Sequence, residues 1–137
     1  MTKEQIALAK RAVACKGWRW LGGMRTANEE RVIGVMRDDV LHLCAPLDAA
    51  LESVYVTRVF FDSSGSCLPD LTDPATLGCL LALVREAWGN PLVGVRGWLD
   101  DEGGDDLYEY YEVMGLDDEF HGNTEAEALV STLEAAP

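Results

Sequence analysis

The sequence predicts an α+β fold: a single-domain α/β/α layered sandwich with a mostly antiparallel sheet. Apolar residues recur at helical spacing in three segments, and runs rich in β-branched and aromatic residues lie between those segments. The chain also has 137 residues with 48% apolar content, which is enough for one hydrophobic core. We therefore expect one domain over residues 1–137, in which helices bracket the strands.

Each predicted helix combines a start signal with a following apolar stripe. Thr2-Lys3-Glu4-Gln5 and Thr124-Glu125-Ala126-Glu127 both have capping-box spacing. Thr72-Asp73-Pro74 supplies an N-cap followed by proline in the first turn, and Gly89-Asn90-Pro91 ends the same helix. These signals predict helices over residues 3–16, 74–88 and 124–135.

The first half of the chain contains three predicted strands. Ser53 to Asp62 is the strongest β-forming run of the sequence. Arg31 to Arg37 and Val40 to Cys44 suit two strands joined by a turn at Asp38-Asp39. Between these runs, Pro46 to Leu51 is predicted to form one helical turn.

Two further segments are predicted from their glycines and β-formers. Gly17 to Met24 contains two tryptophans among glycines and predicts a packed loop or a short strand. Residues 92–99 and 107–114 predict a hairpin, because an acidic, glycine-containing turn over residues 100–106 separates them.

Charge is divided unevenly along the chain. The net charge is −13, with residues 1–37 at +5 and residues 38–137 at −18. Free nucleic acid binds clustered Lys and Arg, so it is not expected as a direct ligand. No secretory signal pattern is present, because Lys10 and Arg11 interrupt the first apolar run, and no stretch reaches the ~20 apolar residues of a membrane helix. We therefore expect a cytoplasmic protein whose four cysteines are reduced.

The densest signal is the acidic segment, residues 100–119, which contains ten acidic residues and no basic one. One interpretation is a solvated turn that keeps the protein soluble. Another is an anionic surface that mimics nucleic-acid phosphates and docks on a basic protein groove. A third is Ca²⁺ binding, although the spacing departs from an EF-hand loop. The acidic residues are Asp100, Asp101, Glu102, Asp105, Asp106, Glu109, Glu112, Asp117, Asp118 and Glu119.

Three tyrosines interleave with these acids on the second strand of the predicted hairpin. Alternation places Tyr108 and Tyr110 on one face and Tyr111 on the other. Tyrosine offers contact area with few rotatable bonds, which favours a binding surface, and ordinary sheet packing explains the pattern equally well. We count all three among the candidate partner-binding residues.

No residue pattern predicts catalysis, a cofactor or a metal site. His42-Leu43-Cys44 places two possible ligands close together, without the spacing of a structural zinc site. No nucleophile elbow surrounds a serine or cysteine, and the glycine pairs lack the residues of a phosphate-binding loop. We therefore expect a protein that binds and does not catalyse, with no catalytic residue, no cofactor and no metal.

Three blocks of the chain stand out together. They are Gly17-Trp18-Arg19-Trp20 with Gly23-Met24, residues 69–91 (from Pro69-Asp70-Leu71-Thr72-Asp73-Pro74 to Trp88-Gly89-Asn90-Pro91), and residues 124–137. In this order they resemble the beginning, the central helix and the ending of a family of small phage and prophage proteins, the phage α/β/α (ABA) sandwich family. The blocks cover about half the chain and consist of helix and core residues. The resemblance implies the fold and a phage origin, and it carries over no catalytic residue.

Phage resemblance, small size and acidity together predict an inhibitor of a bacterial defence system, of the anti-CRISPR kind. Its expected partner is a host defence effector with a basic nucleic-acid-binding surface, engaged in the host cytoplasm by the acidic segment and its tyrosines. One alternative is a protein that sequesters a nucleotide signal in a pocket containing Arg19, Arg25 or Arg58. Another is a phage accessory or assembly module that associates with itself. The sequence does not specify an oligomeric state.

Overall fold

The computed structural model describes residues 1–35, 40–46, 55–61, 67–100 and 108–137. Within these ranges the chain forms three helices and six strands, and every strand pair is antiparallel. The predicted α+β class is confirmed. The described strands form two three-stranded sheets, each built from strands that follow one another along the chain, whereas the sequence led us to expect one sheet.

The chain divides into two compact units, which are described separately. One unit consists of residues Met1–Ala9 and Arg19–Cys79 and is called unit 1. The other consists of Lys10–Trp18 and Leu80–Pro137 and is called unit 2.

The three helices are α1 (Lys3–Ala14), α2 (Pro74–Trp88) and α3 (Glu125–Glu134). All three predicted helices are confirmed, although α1 ends two residues before the predicted boundary. The capping box of α1 is complete, because Gln5 N donates to Thr2 Oγ1 at 3.2 Å and Thr2 N donates to Gln5 Oε1 at 2.8 Å. Among the described residues, no helix combines the length and apolar character needed to cross a membrane.

Unit 1 contains the sheet of strands β1 (Arg31–Val35), β2 (Val40–Pro46) and β3 (Tyr55–Phe61), in that order. The strands lie within a few residues of the predicted ones, and β1 carries an irregularity between Val32 and Gly34. Pro46 ends β2, and the remainder of the predicted helical turn, 47–51, lies outside the described residues. The buried apolar side chains of this unit include Trp20, Met24, Val32 and Leu71.

An ion pair within unit 1 joins the start of β1 to the N-cap of α2. Arg31 Nη2 lies 3.0 Å from Asp73 Oδ1, and Nη1 lies 3.1 Å from Oδ2. Asp73 Oδ2 also accepts from Thr76 N and Thr76 Oγ1, each at 2.9 Å, so Asp73 is the N-cap that the Thr72-Asp73-Pro74 motif predicted. The Arg31 guanidinium and these donors lower the pKa of Asp73 to about 2.

Unit 2 contains the sheet of strands β4 (Gly94–Asp100), β5 (Tyr108–Met114) and β6 (Phe120–Gly122), in that order. Helix α3 packs on one face of this sheet, where Val113 is buried together with Leu129 and Leu133. Gly122 faces α3 so closely that an added Cβ would lie 2.5 Å from the Ala128 backbone nitrogen. Helix α3 therefore covers the face of this sheet that carries Val113.

Candidate partner-binding site

The predicted hairpin of the acidic segment is confirmed. Asp100 at the end of β4 pairs with Tyr108 at the start of β5, and the register continues without interruption to Gly94 and Met114. Residues 101–107 connect the two strands and lie outside the described residues. This connection contains four of the predicted partner-binding residues: Asp101, Glu102, Asp105 and Asp106.

The acidic residues that follow β5 lie at the other end of that strand. Asp117, Asp118 and Glu119 are exposed in the turn that leads into β6. Six residue steps along β5 separate its two ends, which corresponds to about 20 Å at ~3.4 Å per residue. Along the chain, the acidic segment therefore has one acidic cluster before β5 (residues 100–106) and one after it (residues 117–119), with Glu109 and Glu112 on the strand itself.

Glu109 and Tyr111 lie on the face of β5 that carries Val113. The Tyr111 hydroxyl donates to Glu109 Oε1 at 2.7 Å, and this hydrogen bond raises the pKa of Tyr111. The Tyr111 ring lies against Gly97 of β4, where an added Cβ would be 3.4 Å from the ring. Tyr111 is thus held in place by its neighbours, while the Glu109 side chain is exposed.

The opposite face of the same sheet carries a row of interacting aromatic and charged side chains, which we call the aromatic face. It consists of Arg96, Trp98, Tyr110, Glu112 and His121. The Arg96 guanidinium lies 3.7 Å from the Trp98 ring centroid, and the rings of Trp98 and Tyr110 are stacked at 6.4 Å. Tyr110 in turn meets His121 edge-on at 6.1 Å. Strand register brings these residues together, since Trp98 pairs with Tyr110 and Glu112 pairs with His121.

Glu112 is the acidic member of the aromatic face. Its Oε2 accepts from Trp98 Nε1 at 2.9 Å, and its Oε1 lies 3.7 Å from His121 Nε2. The Glu112 side chain is only 24% exposed. Its carboxylate therefore lies beside the Trp98 and His121 side chains, which belong to the row of interacting rings.

An open cleft of about 420 Å³ adjoins the aromatic face within unit 2. Tyr110, His121 and Gly122 line it from the sheet, and Asn123 and Glu127 line it from the start of α3. Thr124 caps α3 by accepting from Glu127 N at 3.1 Å, and Glu127 Oε2 accepts from Asn123 N at 2.8 Å. The capping motif predicted from sequence therefore forms one wall of the cleft.

The sequence did not indicate five residues of this region: Arg96, Trp98, His121, Asn123 and Glu127 were not among the predicted site residues. The stacking of Trp98 on Tyr110 depends on the register between β4 and β5, which composition does not give. The alternation of the hairpin strands was the available signal, because it places Arg96 and Trp98 on one face of β4. Strand β6 has three residues, and no alternating pattern marked it.

The alternative nucleotide pocket was expected to contain Arg19, Arg25 or Arg58, and the ion pairs of Arg25 are described. Arg25 lies 3.3 Å from Glu29 and 3.7 Å from Asp70, so acidic neighbours occupy its guanidinium. The Arg58 side chain lies outside the description. Within the described ranges, no group of three or more His, Cys, Asp or Glu side chains is placed to hold a metal ion. Cys15 and Cys79 are free thiols.

Neither a protein-family model, nor a curated protein, nor a solved structure matches this chain. The resemblance to the phage α/β/α sandwich family therefore stays an expectation drawn from residues 17–24, 69–91 and 124–137.

Proposed function

We propose that this chain is a non-enzymatic inhibitor that binds a nucleic-acid-handling effector of a bacterial defence system through the acidic segment. The observation that supports the proposal is the β4–β5 hairpin with its acidic clusters at both ends of β5. The phage origin of the inhibitor rests on the resemblance of the three blocks. The anti-CRISPR class fits a small acidic chain of this kind.

The charge of the acidic segment suits a surface that normally holds a nucleic acid. Duplex DNA carries one negative charge per ~1.7 Å of axis, so a groove that binds it is basic. The acidic segment carries ten acidic residues and no basic one, and two of the ten, Glu109 and Glu112, lie on β5 itself. A basic groove that neutralises phosphates would attract this negative charge over a Debye length of about 8 Å at physiological salt.

The exposure of each acidic side chain determines whether it can contact such a groove. Glu109, Asp117, Asp118 and Glu119 have exposed side chains, so a partner reaches them without rearrangement of the sheet. Like charges held close together repel one another and cost stability, and a basic partner would relieve that repulsion. The two acidic clusters are thus the expected docking points, and the aromatic face lies along the strand between them.

The first part of the experiment identifies the partner and measures competition. The tagged chain is used to isolate partners from a nuclease-treated lysate of a bacterial strain with active defence systems. The isolated effector is then bound to labelled duplex DNA, and displacement by the chain is followed by fluorescence anisotropy. We expect stoichiometric displacement that weakens as salt rises, because screening shortens the reach of the charges to about 3 Å at 1 M.

Charge reversal gives the matched comparison. Changing Asp101, Asp105 and Asp106 to lysine should abolish displacement, whereas changing Asp38, Asp39 and Asp48 to lysine alters the net charge equally and should leave it intact. Equal displacement by both triple variants would exclude the acidic segment as the docking surface. Failure of the wild-type chain to displace DNA from any isolated effector would contradict the proposed function.

A further inference from the structure

We propose that the cleft beside the aromatic face binds an arginine side chain of the protein partner. The cleft is lined by Tyr110, His121, Gly122, Asn123 and Glu127. This inference rests on the proposed function for the nature of the partner, whose basic surface would supply the arginine. We call this cleft the anchor, because it would give the docking surface a specific contact in addition to its charge.

The aromatic face already makes the proposed kind of contact within the chain. The Arg96 guanidinium lies 3.7 Å from the Trp98 centroid, well within the ~6 Å over which an aromatic ring attracts a cation. Glu112 accepts from Trp98 Nε1 on the same face. Tyr110 continues this row into the cleft, where it offers an aromatic surface beside a second carboxylate, Glu127. A guanidinium is planar and carries five N–H donors, so it can stack on a ring and donate to a carboxylate at once.

An anion is the competing ligand, because the cleft includes the N-terminus of α3, where the helix dipole favours negative charge. The chain itself uses one amide donor of the first turn, because Glu127 N donates to Thr124 Oγ1. Glu127 Oε2 in turn accepts from Asn123 N, which holds this carboxylate at the start of the helix. The dipole is equivalent to roughly half a positive charge, whereas Glu125 and Glu127 bring two full negative charges to the same turn. The net charge at the start of α3 is therefore negative, which favours a cation as the ligand of the cleft.

The cleft is also the right kind of site for one side chain. Its volume of about 420 Å³ exceeds what a single guanidinium group fills, and it is open, so a partner's side chain can enter without movement of the sheet. Tyr110 belongs to the acidic segment, so one side of the cleft lies on the strand between the two acidic clusters. Electrostatic attraction would bring the partner close, and the arginine would fix its position.

The test uses a small probe, so that it does not depend on finding the partner. N-acetyl-arginine amide is titrated into the ¹⁵N-labelled chain, with N-acetyl-citrulline amide as the neutral probe of nearly the same shape. We expect saturable amide shifts at Tyr110, His121, Asn123 and Glu127 with the arginine probe and none with the citrulline probe. Absence of localised shifts, or equal shifts with both probes, would overturn the proposed anchor.

Variants separate charge in the cleft from charge elsewhere. Glu127→Gln keeps an oxygen that can accept from Asn123 N and removes the charge, and it should weaken binding of the arginine probe by about threefold. Glu4→Gln removes the same charge from the exposed first turn of α1, and it should leave the affinity for the probe unchanged. Equal affinity of the Glu127→Gln variant and the wild type would overturn the anchor. If the probe binds but DNA is not displaced from any effector, the anchor stands and the proposed function fails.

Discussion

The ion pair between Arg31 and Asp73 permits a quantitative prediction for the variant Asp73→Asn. Asp73 is 8% exposed and accepts four hydrogen bonds, two from Arg31 and two from Thr76. Asparagine is also a good N-cap, so the variant retains an oxygen for the Thr76 donors. It removes the charge and therefore isolates the contribution of the ion pair.

The magnitude follows from the pKa of Asp73, which falls from an ordinary 3.8 to about 2. A difference of nearly two units corresponds to about 2.4 kcal/mol at ~1.36 kcal/mol per unit. The Arg31 side chain is 43% exposed, so solvent screening reduces the interaction. We therefore expect Asp73→Asn to lower the free energy of unfolding by about 1 to 2 kcal/mol at pH 7.

The dependence on pH has a definite sign. Because the folded pKa lies below the unfolded one, the carboxylate stabilises the fold at pH values above about 4. This contribution declines as the pH falls from about 4 towards 2, where Asp73 becomes protonated in the folded protein as well. The difference between wild type and Asp73→Asn should therefore shrink over that interval.

Urea unfolding at pH 7 and at several values between pH 4 and pH 2 measures this difference by linear extrapolation. Asp118→Asn serves as the control, because it removes a carboxylate from an exposed turn and should change stability by less than about 0.5 kcal/mol at each pH. A cost of Asp73→Asn that is the same at pH 7 and near pH 2, or that is no larger than the control, would refute this account of the ion pair.

Two further predictions concern Gly122 in β6 and the ion pair between Arg11 and Glu134. Gly122→Ala should lower the free energy of unfolding by about 2 kcal/mol or more, because its Cβ would lie 2.5 Å from Ala128 N. An added Cβ at Gly78 would contact no atom within 4 Å, so Gly78→Ala should raise the free energy of unfolding by about 0.5 to 1 kcal/mol. Thermal unfolding of both variants measures this, and a stable Gly122→Ala protein would contradict the packing of β6 on α3. Glu134→Gln breaks an exposed pair with Arg11 at 2.7 Å and should cost about 0.5 kcal/mol at low salt, with the difference vanishing near 1 M NaCl in the same assay.

Much of the secondary structure was predictable because its signals are local. The motif Thr72-Asp73-Pro74 fixed the start of α2, and the Asp73 side chain caps that helix as the motif indicates. The reciprocal hydrogen bonds between Thr2 and Gln5 follow from residues three apart. Strand β6 was not predicted because its three residues are too few to show an alternating pattern. Its extended conformation depends on pairing with β5.

The candidate site was predictable only in part, because it depends on contacts between distant residues. Alternation along β5 correctly placed Tyr110 and Tyr111 on opposite faces. The side chains from Arg96 to His121 come together only through the register of β4, β5 and β6. The composition of the acidic segment does not indicate that register. The separation of the acidic residues into two clusters likewise follows from β5 running between them. Arg31 and Asp73 are 42 residues apart, so no local spacing marked their ion pair.

Hydrogen–deuterium exchange of the chain, alone and bound to the effector that it isolates, shows directly whether the acidic segment is the docking surface. We expect binding to slow exchange in residues 94–122, which include β4, β5, β6 and the connections that carry the acidic clusters. Peptides from the sheet of β1, β2 and β3 should exchange at the same rate in both states. Protection confined to residues 19–79, with the β4–β5 hairpin unchanged, would contradict the claim that the acidic segment is the docking surface.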